Sequence, residues 1–350
     1  MGYSDMNMQY PFVVRAYEDE RAAMEIARTY DVAIIGNAPL EYLQQRMKKN
    51  LLTFRFCERS LKKGTWRRFI PRTRKKIQEG YIKYKDQNLY ILGASSFTAA
   101  DLVLCGFDLN KCLEWGYFPE VEQKNLDELF QLKRKNTVPE ILYAGRLLKL
   151  KHVMDTVKAV QYLVKRSVEV HFTIIGDGES TGEIKRYIQK NHLERYITML
   201  PFMTPQEVRT YMERADIYVF GSNFYEGWGA VVNESMNSAC AVIVSHAVGS
   251  AAHLIENGVN GFIYPFADVK KLTEILNILV LDKNLREKIG RNAYKTLTQL
   301  WNSEVAAERF LMVCNAIICG EEYGTIYDEG PCRPARLFKN NWIGENNIGY

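Results

Sequence analysis

At 350 residues and 40.5 kDa the chain has room for two domains of ordinary size. Hydrophobic residues make up 47% and charged residues 25%, a globular balance that excludes collagen-like and low-complexity classes, and no apolar run approaches the ~18 residues of a membrane span. The formal net charge of +5 lies wholly in the first part: residues 1–137 carry 23 Lys/Arg against 17 Asp/Glu, the remainder 23 against 24.

The start, Met1-Gly2-Tyr3-Ser4-Asp5, has no signal-peptide pattern, and Met6 stands where N-myristoylation at Gly2 would need Ser or Thr. Residues 31–36 (DVAIIG) read as a buried strand leading to Asn37-Ala38-Pro39, with a helix expected over 39–49. Residues 54–76 carry ten basic residues and one acid, Glu58, with Trp66, Phe69 and Ile70 interleaved. Such a segment fits an anionic membrane surface, at ~1 kcal/mol per Lys or Arg near the lipid. A solvated basic face is the plain alternative. Nucleic-acid backbone binding is the weaker one, since no nucleic-acid module accompanies the charge. A strand at 88–92 and a helix at 94–104 complete a first part that is thin for a whole sheet.

From about Pro139 strand and helix signals alternate. Strands are expected at 140–144, 168–175, 196–200, 216–220 and 241–245. Between them lie a helix with Val153, Val157, Val160 and Val164 on one stripe, a polar helix to Asn191, a helix capped Thr204-Pro205-Gln206-Glu207, and one over 229–239. Two more follow at 269–281 and 284–297. This alternation predicts an α/β fold with a mostly parallel sheet, whose ligands sit beyond the carboxyl ends of the strands. The seven cysteines (57, 105, 112, 240, 314, 319, 332) are odd in number and form no C-x-x-C, as expected of reduced thiols in a cytoplasm.

Two strand-to-helix turns could carry chemistry. In Tyr225-Glu226-Gly227-Trp228-Gly229-Ala230-Val231-Val232-Asn233-Glu234 the glycines let a ligand approach the backbone, and the amides at the helix start favour an anion. Glu226 lies in the loop and Glu234 about one and a half turns into the expected helix. Carboxylates suit vicinal sugar hydroxyls, although two glutamates so spaced also describe a solvated face. In Gly145-Arg146-Leu147-Leu148-Lys149-Leu150-Lys151, Arg146 and Lys151 offer a guanidinium fork and a point charge to a diphosphate. Cations at a helix start are otherwise slightly unfavourable.

Taken together, Gly145-Arg146-Leu147 with Lys151, Gly176-Asp177-Gly178, Glu226 with Glu234, Gly249, and Asn257-Gly258-Val259-Asn260-Gly261 occur in the order of the donor half of the family-4 retaining glycosyltransferases. The chain resembles that family, of the "glycosyl transferases group 1" type. The resemblance implies a GT-B fold: two Rossmann-like domains facing a cleft. The N-terminal one is abbreviated here, the chain looking shorter than expected by on the order of 50 residues, one or two strand–helix units. It implies an acceptor-side domain at 1–137, a nucleotide-sugar domain at 138–300 and a tail at 301–350 whose helix crosses back to the first domain. It also implies roles. Arg146 and Lys151 would hold the donor diphosphate, Glu226 would face the donor sugar, and these three form the catalytic set. Glu234 would hold the ribose, the amides of Gly227, Trp228, Gly229, Ala230 and Val231 would touch sugar and phosphate, and Phe202 would lie beside the base. No metal or cofactor is implied, and no D-x-D occurs. His152 stands where the family has Gly, and Ser250 replaces a second Gly after Gly249.

Residues 35–39, 53–59 and 115–120 also resemble a bacterial surface-polysaccharide subgroup, whose acceptors are often lipid-linked. The expectation is therefore a metal-independent, retaining hexosyltransferase of surface polysaccharide synthesis. It would be cytoplasmic and peripheral at the inner membrane face through residues 54–76, with a saccharide or lipid-linked acceptor and no nucleic acid. The rivals are a truncated module that binds nucleotide sugar or membrane without turnover, and a GT-B epimerase, against which the Glu226/Glu234 spacing argues.

Overall fold

The computed structural model describes residues 12–345; the reading around Gly2 lies outside them. The first domain runs α1 (Glu20–Thr29), β1 (Val32–Ile35), α2 (Leu40–Lys48), β2 (Leu52–Cys57), α3 (Pro71–Gly80), β3 (Leu89–Gly93), α4 (Thr98–Val103), β4 (Cys112–Glu114). Its four strands are all parallel, in the order β1-β2-β3-β4. Side chains alternate across β2. Leu52 and Phe54 face one core, while Thr53, Arg55 and Cys57 face the side of α2 and α3.

This corrects the reading of residues 54–76 as one surface segment. Its first residues belong to an interior strand, with Phe54 fully buried. Arg59 is buried too, its guanidinium bonded to Asp101 at 3.0 and 3.2 Å. Only the stretch beyond presents Trp66 and Phe69 to solvent, 59% and 72% exposed.

After α5 (Leu126–Lys133) the second domain runs β5 (Glu140–Ala144), α6 (Val153–Lys165), β6 (His171–Ile175), α7 (Thr181–Lys190), β7 (Ile197–Leu200), α8 (Pro205–Arg214), β8 (Ile217–Phe220), α9 (Val231–Asn237), β9 (Ala241–Ser245), α10 (Ala251–Leu254), β10 (Phe262–Tyr264), α11 (Val269–Leu281) and α12 (Lys283–Gln299). Six parallel strands lie in the order β10-β9-β8-β5-β6-β7. The chain therefore reverses direction across the sheet between β5 and β8. In open α/β sheets the crevice at that reversal takes the ligand. The two loops singled out in the sequence, 145–151 and 221–230, are the ones that leave β5 and β8.

Helix α13 (Ser303–Cys319) returns to the first domain. Val313 and Cys314 are buried against Leu52, Phe54, Leu92 and Leu113, and the Phe310 ring meets Phe54 edge-on at 4.8 Å. The tail then pairs antiparallel with β4: Glu114 N donates to Arg333 O, and Cys332 N to Glu114 O, each at 2.9 Å. It finally crosses back to the second domain, where Trp342 Nε1 donates to His246 O at 3.1 Å. Between these crossings Glu114 is 2% exposed, bonded by Arg336 Nε at 2.7 Å and 3.3 Å from His253 Nδ1 of the second domain.

Candidate functional site

The β5 loop is shaped by its neighbour. Leu147 N donates to Asp177 O and Ser180 N to Leu147 O, each at 2.9 Å, and a Cβ on Gly176 would overlap Gly145 O. Gly176-Asp177-Gly178 is thus a packing motif. Asp177 turns its carboxylate onto Gly178 N and Thr181 Oγ1 at 2.8 and 2.6 Å, and these bonds lower its pKa, Thr181 most. Tyr143 Oη donates to Arg146 O at 3.0 Å and fixes the backbone there. The Arg146 side chain is exposed and has no partner among the described residues.

Lys151 and Glu226 meet. The Lys151 ammonium bonds Glu226 Oε2, and both side chains are about five-sixths buried, 16% and 15% exposed. Ser222 Oγ lies 2.8 Å from the same carboxylate oxygen, Asn223 N donates to Leu150 O at 2.9 Å, and the ammonium sits 4.8 Å from the Phe220 ring centre. The two loops are zipped together at the sheet reversal. The buried Tyr143 phenol senses charges on both loops: burial raises its pKa first, Glu226 adds to the rise, and Arg146 opposes it.

Helix α9 starts at Val231, two residues later than the sequence suggests, because Gly229 has φ +86°, a left-handed backbone no helix accommodates. Glu234 consequently lies in the first turn, closer to the loop than expected. The amides from Gly227 to Val231 donate to no acceptor among the described residues. Burial raises the pKa of Glu234, and Arg209, which donates to the Glu234 carbonyl at 3.1 Å, works against that rise. Tyr218, whose phenol donates to Ala144 O at 3.0 Å, feels both Tyr143 and Glu234. Lys151 and Glu226 are thus in direct contact, while Arg146 and Glu234 are linked to them only through the charges felt by Tyr143 and Tyr218.

Trp228 can offer a ligand only its amide. Its indole is 1% exposed, donates to Asn233 Oδ1 at 2.8 Å and packs 5.9 Å from Trp301. Phe202 is 75% exposed in the turn between β7 and α8. His152 occupies a left-handed position, φ 52° and ψ 33°, which explains a glycine there in the family. Its ring is turned aside, 3.1 Å from Asp155 Oδ2 and against Phe266.

Sequence reasoning missed the first domain's share. Ser96 N donates to Gly249 O at 2.8 Å, and the Phe97 ring lies 5.6 Å from Phe224. A Cβ on Gly227 would run into the Glu58 carboxylate, and one on Gly249 into the Gly227 carbonyl. These contacts join residues far apart in sequence, and only the glycines hinted at them.

Comparison with known proteins places the fold. Residues 125–296, just under half the chain, match the family model described as Glycosyl transferases group 1. Over 155 residues the chain is 28% identical to an alpha-D-kanosaminyltransferase of Streptomyces kanamyceticus, covering 44% of this chain and 40% of that protein. Over 222 residues it is 24% identical to the capsular polysaccharide biosynthesis glycosyltransferase CapM of Staphylococcus aureus, covering 62% and 56%. The chain spans about half the length of the curated relatives it matches. Anabaena HepE, solved in complex with UDP, superimposes with a TM-score of 0.67 over 84% of this chain and 81% of that one, at 15% identity. The fold is that of these glycosyltransferases, GT-B.

Proposed function

We propose that the protein moves a hexosyl group from a nucleotide-sugar donor to a saccharide or lipid-linked acceptor in surface polysaccharide synthesis, with retention and without a metal. The observation that carries this is the Lys151–Glu226 pair at the sheet reversal, with Arg146 on the same loop as Lys151 and, after Glu226, amides that donate to no acceptor among the described residues. HepE holds UDP and CapM is named for capsular polysaccharide synthesis, which supports the donor and pathway class.

Arg146 and Lys151 grip the diphosphate and stabilise the charge that grows on it as it leaves. Lys151 reaches it by sharing its proton donors with Glu226, and the freed carboxylate oxygen turns to a donor-sugar hydroxyl. Glu234 accepts from the ribose hydroxyls, and the amides of 227–231 hold the remaining anionic oxygens. The bond between anomeric carbon and diphosphate oxygen breaks as the acceptor oxygen bonds the same face of that carbon. The acceptor's hydroxyl proton passes to the departing diphosphate. Two cations at the leaving group make a metal unnecessary, so turnover is expected to persist in excess chelator. Exposed Trp66 and Phe69 among Arg67, Arg68, Arg72 and Arg74 support docking on an anionic membrane at its cytoplasmic face.

The test is a screen of UDP-, GDP- and ADP-sugars for release of nucleoside diphosphate with a lipid-linked acceptor present. Release from one donor class, lost in Arg146→Ala, is expected. Tight donor binding with no release from any of them would leave a binding module instead.

A further inference from the structure

Three arginines are buried or nearly so in the first domain, and they are treated differently. Arg46 is saturated: its guanidinium donates to Thr53 Oγ1 and to the carbonyls of Ala27, Tyr30, Asp31 and Leu52 at 2.7–3.1 Å. Arg59 is paired with Asp101 and reaches Asn340 Oδ1 at 3.2 Å. Arg55 is not satisfied. It occupies a β2 position between Ile35 and Ile91, its guanidinium lies 5.2 Å from the Tyr81 ring centre, and its Nε and Nη1 are buried with no hydrogen-bond acceptor. The half-buried Arg55 keeps a bond to the Tyr81 side chain, but leaving its other buried donors without acceptors is costly, and proteins keep such donors where something else completes them.

Arg55 forms part of the wall of a basin of about 720 Å³ at the carboxyl ends of β1 and β2. Arg67, Arg72 and Lys76 line the same basin. Its one acid, Glu58, is already neutralised by Lys62, and Arg59 by Asp101. The excess is four positive charges. Helix α3, ten residues long, opens on the basin with Arg72 and Thr73. No side chain caps its N-terminus and no acid lies in its first turn. Cations at the positive end of a helix repel its dipole, and an anion reverses the sign of both terms. Through Glu58 the basin abuts Gly227, the tip of the donor loop.

We propose that this basin binds a phosphate or diphosphate group carried by the acceptor, with Arg55 from β2 and Arg72 and Lys76 from α3 as its ligands. The word acceptor rests on the transfer reading; the anion site does not. Four uncompensated cations match a multiply charged phosphoryl group better than a single carboxylate, and Arg supplies the planar fork that phosphate oxygens take.

The probe is inorganic pyrophosphate, titrated calorimetrically into the full chain carrying Arg146→Ala and Lys151→Ala, which blank the donor phosphates. Saturable binding is expected to remain, and to weaken roughly 10- to 100-fold when Arg72→Ala and Lys76→Ala are added, on the scale of charge-assisted hydrogen bonds. Arg55→Met in the same background is expected to weaken it similarly while the melting temperature holds or rises, since a purely structural arginine would lower it. No pyrophosphate binding in the donor-blanked chain, or binding unmoved by these basin substitutions, overturns the proposal. UDP binding to the unsubstituted chain is read separately: its failure strikes the transfer reading and leaves the anion site standing.

Two further arms assign the source. Flotation with phosphatidylcholine vesicles that gain a polyprenyl diphosphate, lost in Arg72→Ala/Lys76→Ala, supports the site with a lipid-borne group. Competition by glucose 1-phosphate without such flotation supports it with a soluble phosphorylated saccharide.

Discussion

Single residues divide between those whose chemistry was visible in the sequence and those whose surroundings decide their part. Arg146, Lys151 and Glu226 drew attention in the sequence because they are charged residues in the turns that follow buried strands, and the structure brings Lys151 and Glu226 into contact. Trp228 entered that reading only through its amide, and its indole fills the core against Trp301. Arg55 was hidden in a run of basic residues. Three outcomes are expected at this scale. Arg146→Ala should lower turnover by about 10²-fold or more, as for loss of one electrostatic donor, read as kcat under saturating donor. Glu234→Ala should weaken nucleoside diphosphate binding by roughly 10- to 100-fold, the range of a charged hydrogen bond. Burial raises the Glu234 pKa, so its carboxylate loses its charge at a higher pH than an ordinary glutamate. Nucleotide affinity in the native chain should therefore begin to fall early on acidification, and Glu234→Gln should flatten that part of the profile.

At the level of elements, periodicity found the second domain almost whole, since buried parallel strands alternate there with amphipathic helices. It missed β2, where Arg55 and the charged residues beyond broke the apolar pattern, and β4, which is three residues long. The direct contact of the two domains at residues 95–97 and 249 was hinted at only by the glycines, because it depends on backbone meeting backbone. Gly249 lies in this contact: an added Cβ would overlap the Gly227 carbonyl of its own domain and come within 2.6 Å of Ser95 Oγ across the junction. Gly249→Ala should cost about 1–3 kcal/mol, as overpacking does, and should displace the donor loop. A lowered melting temperature together with weaker UDP binding is the expected pair of readings; an unchanged value of both would show that the junction yields freely.

Across the whole molecule, Glu114 ties first domain, second domain and tail at one buried point. Burial by itself raises its pKa, but His253 and Arg336 outweigh that and hold it at about 2. An acid depressed on folding adds stability above its unfolded pKa, and that stability drains away as pH falls from about 4.5 towards 2. The amount is roughly 3 kcal/mol at neutral pH. Glu114→Gln should therefore lower the melting temperature clearly at pH 7, and the gap to the native chain should narrow below pH 4.

The strand that the tail lays along β4 joins Leu113 to Pro334, partners separated by most of the polypeptide. During synthesis the first lobe thus emerges with one sheet margin bare, and it waits until residues 332–335 are made before that margin is sealed. Such distant pairing slows folding and leaves a sticky edge exposed meanwhile. A nascent chain stalled before residue 332 would be a natural client for chaperones.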